Sequence, residues 1–273
     1  MDVSTTPILY ATLAAACFGG QVVVTMRSFA HVDPQTSSMI SIGTCVAVYW
    51  LLSPFLLKTA YLTNPGTWIF FMNGLIHPLF SIYLAFEATK RMGPTVAATI
   101  SATAPLFATA GAVLALGEQV TVMLLLGTVG TVAGVMILSW NRQGHRHWAL
   151  WMLLFPMGAA VIRGANHILG KVGLEMVPSP YYAGLVSFTV SFFGSVLIYY
   201  LRMGRLPLVL PLKGLLWSTP AGGLIAIGIL SMYSALNCGR VVVVSPIIAA
   251  FPLFTLGISL LFRQERFRLR ILL

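Results

Sequence analysis

Three polar residues stand together inside one apolar stretch of the chain. The segment VIRGANHILG holds Arg163, Asn166 and His167, and on a helix this spacing of three and four places them on one face. An ionisable group so deep in an apolar segment usually faces a cavity or a partner, and the planar fork of arginine matches a carboxylate or phosphate. We predict that these residues bind an anionic or zwitterionic group of a substrate. The alternative is a structural arginine that binds backbone carbonyls or extends to the membrane surface.

A second polar stripe lies earlier in the chain. Asn73, His77 and Ser81 are spaced four apart, so a helix places them on one face. We predict that they are substrate-binding residues, that His77 and His167 meet across a central cavity, and that Pro78 kinks the helix. The alternative is that the stripe forms hydrogen bonds between helices.

A third group makes one end of a later apolar run polar, and it consists of Ser231, Tyr233, Ser234 and Asn237. We predict that Tyr233 flanks the substrate, with simple packing as the alternative. The two histidines lack ligand-like spacing and carboxylate company, so we expect no metal site. No H-E-x-x-H occurs, and Asp2 and Asp33 are the only aspartates. We therefore expect no catalytic residue and no cofactor, with an intramembrane enzyme as a remote alternative.

The glutamates suggest structural roles. Glu87 precedes Lys90 and Arg91 by three and four residues, which predicts a surface ion pair, with a proton-linked carboxylate as the alternative. Glu118 and Glu265 stand just before the predicted fifth and tenth helices. We expect each of them to cap the helix that follows it.

The composition places these residues in a membrane protein. Of 273 residues, 58% are hydrophobic and 8% are charged, whereas soluble domains carry about a quarter charged residues. The net charge of +10 comes from basic residues in short loops, where they orient a membrane protein. We therefore expect a lipid bilayer around the chain and no nucleic-acid partner. No cleavable signal peptide is evident.

A spanning helix needs about 20 mostly apolar residues. The sequence predicts nine of them, at 7–26, 36–57, 67–89, 94–116, 120–140, 148–170, 180–200, 214–236 and 241–262. A tenth starts near Phe267, and most of it is expected to be missing from this sequence.

An internal repeat relates the two halves of the chain. Residues 93–121 match residues 239–267: Pro105-Leu106-Phe107 recurs as Pro252-Leu253-Phe254, 147 positions later. A weaker match pairs Gly20 with Gly164, 144 positions later. We predict an all-α bundle of ten helices, with one repeat at 1–140 and the other at 141–273. Because five helices per repeat is an odd number, the second repeat is inverted in the membrane.

Loop charges predict the orientation. One set of loops holds Arg27, Lys90, Arg91, Arg142, Arg146, Arg202, Arg205, Lys213, Arg263, Arg266, Arg268 and Arg270. The other set holds Lys58, Lys171 and Arg240. The first set is expected in the cytoplasm, with the N-terminus outside.

These motifs resemble the EamA-type permeases of the drug/metabolite transporter superfamily. Members carry two five-helix repeats, in which a Pro-Leu-Phe-like triplet in the fourth helix is followed by a glutamate, and the fifth helix carries spaced glycines. The matching residues here are Pro105-Leu106-Phe107, Glu118, Gly127, Gly130 and Gly134, then Pro252-Leu253-Phe254 and Glu265. The first helix lacks the membrane glutamate by which the small multidrug-resistance branch couples export to protons, so the resemblance does not imply that coupling.

The resemblance implies a multi-pass transporter. We expect it to move a small polar metabolite, amino-acid-like or related, by alternating access around a central cavity, with efflux favoured. The expected setting is the bacterial inner membrane, with the protein as a monomer or homodimer. The alternative is a flippase or a carrier for lipid-linked or sugar-phosphate cargo, which would need a side opening and more basic cavity residues than Arg163.

Overall fold

A computed structural model of the chain describes residues 5–92, 94–139, 149–204 and 211–261. Every regular element in these ranges is helical, which confirms the predicted all-α class. Seven helices within the described ranges are long and apolar enough to cross a membrane, and Val122–Ile137 is a shorter apolar helix. The expected tenth helix, Glu265 and the loop at 141–147 lie outside the described residues.

The helices are α1 (Thr5–Ser28), α2 (Pro34–Leu56), α3 (Gly66–Gly74), α4 (Ser81–Met92), α5 (Pro94–Ser101), α6 (Ala104–Leu116), α7 (Val122–Ser139), α8 (Leu154–Met176), α9 (Pro180–Met203), α10 (Leu212–Cys238), α11 (Val241–Ala249) and α12 (Phe251–Leu261). The predicted third, fourth and ninth helices are each divided in two, as α3 with α4, α5 with α6, and α11 with α12. The other predicted helices are continuous.

The start of α2 shows how local sequence sets a helix boundary. Oδ1 of Asp33 accepts hydrogen bonds from the backbone N–H groups of Gln35 at 3.0 Å and Thr36 at 2.9 Å, and Pro34 occupies the first helical position, where its missing N–H has no cost. Burial raises the pKa of Asp33, but the hydrogen bonds from Thr36 and Gln35 outweigh it and hold that pKa below its usual value.

The third predicted helix is kinked at His77, where the backbone leaves helical geometry with φ −131° and ψ 130°. A π-helical turn over Leu75–Phe80 joins α3 to α4. Pro78 therefore kinks the helix as expected. The same kink corrects the predicted stripe, because residues spaced by four share a face only on an uninterrupted α-helix.

The fourth and ninth predicted helices are broken one turn before their matched prolines. Pro105 is the second residue of α6, and Pro252 is the second residue of α12. The predicted helices at 94–116 and 241–262 have these prolines near their middles, whereas the structure places each proline in the first turn of a separate helix. In the first turn they fit without strain, since a proline there removes an N–H that has no intrahelical partner.

The helices of the two halves pack in corresponding ways. α1 packs against α10 and α12, and α8 packs against α3, α4 and α6. Side-chain bonds correspond too: Ser41 Oγ of α2 donates to Ser218 O of α10 at 3.0 Å. Ser187 Oγ of α9 donates to Phe70 O of α3, also at 3.0 Å.

Basic residues of the first loop set contact the ends of other helices. The guanidinium of Arg27, at the end of α1, lies 4.8 Å from the ring centroid of Trp217 in the first turns of α10. That of Arg91, at the end of α4, lies 5.2 Å from the ring centroid of Trp151, just before α8. The ends of α1 and α4 thus meet the starts of α10 and α8.

Lys171 of the second set lies at the opposite ends of α8 and α10. Lys171 Nζ, in the last turns of α8, donates to Leu236 O at 2.9 Å and to Gly239 O at 3.1 Å, where α10 ends. α8 and α10 therefore run parallel, and Lys171 lies at the end of the bundle opposite to Arg27 and Arg91.

Candidate functional site: a central cavity

A cavity of about 580 Å³ lies between the two halves of the bundle. The kink at Pro78 and both helix breaks contribute to its wall, together with α1, α2 and α7 to α10. Its polar lining residues are Gln21, Ser38, His77, Ser101, Arg163, Asn166, His167 and Ser245. The structure thus brings four of the seven predicted binding residues to one cavity: His77, Arg163, Asn166 and His167.

Arg163 is the charged residue of this wall. Its side chain is partly buried, and its Nε atom is fully buried without a hydrogen-bond partner. No salt bridge or side-chain hydrogen bond holds its guanidinium within the described ranges. This arrangement differs from the alternative in which the arginine binds backbone carbonyls.

The two histidines lie close to this arginine. His77, from the kink, and His167, from α8, both line the cavity together with Arg163. Nδ1 of His167 is buried and has no hydrogen-bond partner. No described residue therefore satisfies this ring nitrogen, one helical turn from Arg163.

Gln21 was not among the predicted binding residues. It lines the cavity from α1, and its Nε2 donates to Thr25 Oγ1 at 2.8 Å. The available signal was the same one that pointed to Arg163, a polar side chain in the middle of an apolar run. Only the packing of α1 against α10 and α12 shows that this face of the helix meets the cavity.

Asn73, Ser81 and Tyr233 lie outside the cavity lining and are buried. Asn73 Nδ2 donates to Tyr233 Oη at 3.1 Å, and Tyr233 Oη donates to Ser187 Oγ at 3.4 Å. These bonds tie α3, α10 and α9 together, which is the arrangement of the alternative interpretation, hydrogen bonds between helices.

The glutamates at the helix ends act partly as expected. Glu87 Oε2 lies 2.9 Å from Arg91 Nε, which confirms the predicted ion pair. Glu118, however, does not cap the helix that follows it. Its Oε1 and Oε2 atoms accept hydrogen bonds from the backbone N–H groups of Val241 and Val242, each at 2.9 Å. It caps α11, in the other half of the chain, because α6 packs against α11.

No group of three or more His, Cys, Asp or Glu side chains that could hold a metal ion occurs among the residues described. Cys17, Cys45 and Cys238 are free. Among the described residues, the polar groups that line the cavity are one guanidinium, two imidazoles, amides and hydroxyls.

The family model of the EamA-like transporters matches residues 5–140. The chain belongs to the EamA-like transporter family. This EamA-like protein is a multi-pass membrane transporter of small solutes, and transport rather than catalysis is the activity of its family.

A solved structure has the same fold as this EamA-like transporter. It is described as "Crystal structure of protein", and it superposes with a TM-score of 0.79 at 17% sequence identity. The superposition covers 98% of this chain and 92% of the other. No sequence match was found among curated proteins.

Proposed function

We propose that this EamA-like transporter exports a small polar metabolite, an amino acid or a related compound, across the bacterial inner membrane. The observation that carries the proposal is the cavity of about 580 Å³ with an unpartnered arginine on its wall. Its volume is in the range of small-molecule sites. An arginine without a protein partner at that depth needs water or a ligand, since its charge is costly to bury. Export is the direction favoured by the family resemblance.

The cavity walls support two inverted five-helix repeats, at 1–140 and 141–273. The lining residues contributed by α1 are Phe18, Gln21 and Val22, and those contributed by α8 are Arg163, Asn166 and His167. Both sets have the spacing i, i+3, i+4, so corresponding faces of the two helices face the same space. A pseudo-two-fold axis through the cavity, in the membrane plane, accounts for this correspondence.

The helix breaks supply a mechanism for alternating access. Thr103 N donates to Ile100 O at 3.1 Å, and Ala250 N donates to Ile247 O at 3.1 Å. Each of these short turns is followed by a proline, which has no N–H to continue the α-helical ladder. Each break therefore has few backbone bonds to lose on bending. We propose that the two breaks are hinges about which α6 and α12 move to open one end of the cavity and close the other.

A ligand screen followed by a vesicle assay tests this function. The purified protein is screened for thermal stabilisation by amino acids, purines, sugars and their phosphates. A ligand at 100 times its dissociation constant stabilises by about 2.7 kcal/mol. Any stabilising compound is then tested for protein-dependent movement across sealed vesicles. A compound that binds in the cavity and is not moved in either direction would contradict the proposal.

A further inference from the structure

We infer that the substrate is a net anion, a carboxylate or phosphate on an apolar body, and that Arg163 binds its charged end. This inference rests on the proposed function, because it takes the cavity as the substrate site. It narrows that function to related compounds that carry no ammonium group, and so departs from an amino acid as the substrate. The sequence alone left both anionic and zwitterionic groups open.

The cavity wall carries charge of one sign. Among the residues that the structure describes, Arg163 is the only Lys or Arg that lines the cavity, and no Asp or Glu lines it. The acidic residues that the structure describes all lie elsewhere, and they are Asp33, Glu87, Glu118 and Glu175. A bound anion would neutralise the guanidinium. A substrate ammonium group would meet no carboxylate and would be repelled by Arg163.

The arginine is not engaged by the protein. Its Nε and the neighbouring Nδ1 of His167 are both buried and lack hydrogen-bond partners. The guanidinium can present two parallel donors to the two oxygens of a carboxylate or phosphate. The imidazole of His167, one turn further along α8, can add a bond to the same group.

The other walls fit an uncharged body. The positions on α1 that correspond to Arg163, Asn166 and His167 are Phe18, Gln21 and Val22, and none of them is ionisable. Phe188 and Phe251 also line the cavity. The site therefore has a charged end at α8, and the rest of its wall combines aromatic and aliphatic faces with Gln21, His77 and three serines. This lining favours an amphipathic substrate with a single anionic group.

A matched series of aromatic probes separates the charge types. The full chain is purified in detergent, and its thermal stability is measured at neutral pH with benzoate, phenyl phosphate, benzamide, phenylalanine and benzylamine. Benzoate and benzamide have almost the same shape and differ in charge. The same series is run on Arg163→Gln, on Arg163→Lys, and on Lys213→Gln, which removes one exposed positive charge at the start of α10.

We expect benzoate or phenyl phosphate to stabilise the wild type, with benzamide, phenylalanine and benzylamine much weaker. Arg163→Gln should weaken binding of the anion about 10- to 100-fold, and Lys213→Gln should leave it unchanged. If Arg163→Gln does not fold, Arg163→Lys keeps the charge and loses the fork, and it should weaken the anion as well. The preferred anion shows whether the site is built for carboxylate or phosphate.

Three results would overturn the inference. They are no stabilisation by either anion, equal stabilisation by benzoate and benzamide, and anion binding unchanged in the folded Arg163 variants. Vesicle assays distinguish failure of the anion inference from failure of the proposed transport function. Movement of phenylalanine that does not depend on Arg163 would contradict the anion inference and would support the proposed transport function. Arg163-dependent binding of benzoate without movement would support the anion site and contradict transport.

Discussion

Gly19 and Gly164 make the same contact in the two halves of the molecule. A Cβ atom on Gly164 would lie 2.8 Å from the backbone N of Ala108 in α6, and one on Gly19 would lie 2.8 Å from the backbone N of Thr255 in α12. Ala108 and Thr255 are separated by the same 147 positions as the repeated prolines. By these contacts Gly164 corresponds to Gly19, whereas the sequence match paired it with Gly20. The helices α1 and α8 are held against their neighbours at a backbone-to-backbone distance that only glycine allows.

Replacing either glycine by alanine should destabilise the fold to a similar extent. Gly19→Ala and Gly164→Ala each place a methyl group against backbone, which cannot move aside, so we expect a loss of about 1–3 kcal/mol in the free energy of unfolding. Denaturant unfolding in detergent measures it. Gly257→Ala is the matched control, because a Cβ there meets nothing within 4 Å. Loss at one site without loss at the other would argue against corresponding contacts.

Arg163→Lys should preserve insertion and folding while losing most of the transport. The lysine keeps the positive charge at the cavity wall but offers a single point donor in place of the planar fork. Transport of the identified substrate into vesicles, normalised to the protein inserted, measures the effect. Arg163→Ala should abolish transport with insertion intact. A lysine variant that transports like the wild type would remove Arg163 from the substrate site.

Tyr233→Phe should separate packing from binding. The change removes the hydroxyl that accepts from Asn73 and donates to Ser187, so we expect a loss of about 1 kcal/mol in unfolding free energy. Tyr233 does not line the cavity. The affinity of the Tyr233→Phe protein for substrate, measured by ligand-induced thermal stabilisation, should therefore equal that of the wild type. A large loss of substrate affinity with normal stability would instead show that Tyr233 takes part in substrate binding.

Glu118→Ala should weaken the contact between the two halves. It leaves the backbone N–H groups of Val241 and Val242 without their acceptor, and loss of such a cap costs about 1–2 kcal/mol. Thermal unfolding in detergent reports the loss. Glu175→Ala is the control, because it removes an exposed carboxylate at the end of α8. If both variants unfold together with the wild type, the cap contributes nothing to stability.

Accessibility of single cysteines tests the orientation. In a background with Cys17, Cys45 and Cys238 replaced, His31→Cys lies in the exposed loop after α1 and Thr63→Cys in the exposed loop after α2. An impermeant maleimide added to intact cells should label position 63 readily and position 31 only after permeabilisation, because the more basic loops face the cytoplasm. The reverse pattern would overturn the orientation.

Local patterns predicted much of this molecule. Runs of about 20 apolar residues mark the helices because a bilayer core has a fixed thickness. Arg163, Asn166 and His167 share a face because α8 is continuous through them, so their spacing alone places them together. The ion pair of Glu87 with Arg91 is likewise a contact within one helix. These features depend on helical periodicity and on how far a residue lies from the ends of its apolar segment. Both can be read from the sequence.

Contacts between distant segments were decided by the tertiary structure alone. The spacing of Asn73, His77 and Ser81 suggested one stripe, but the kink at His77 brings His77 to the cavity and leaves the other two buried between helices. Glu118 caps α11 because α6 and α11 are neighbours across the two halves. A helical period states which residues share a face, and it carries no information about what that face meets. The partner of each face depends on how all the helices pack together, which no single segment determines.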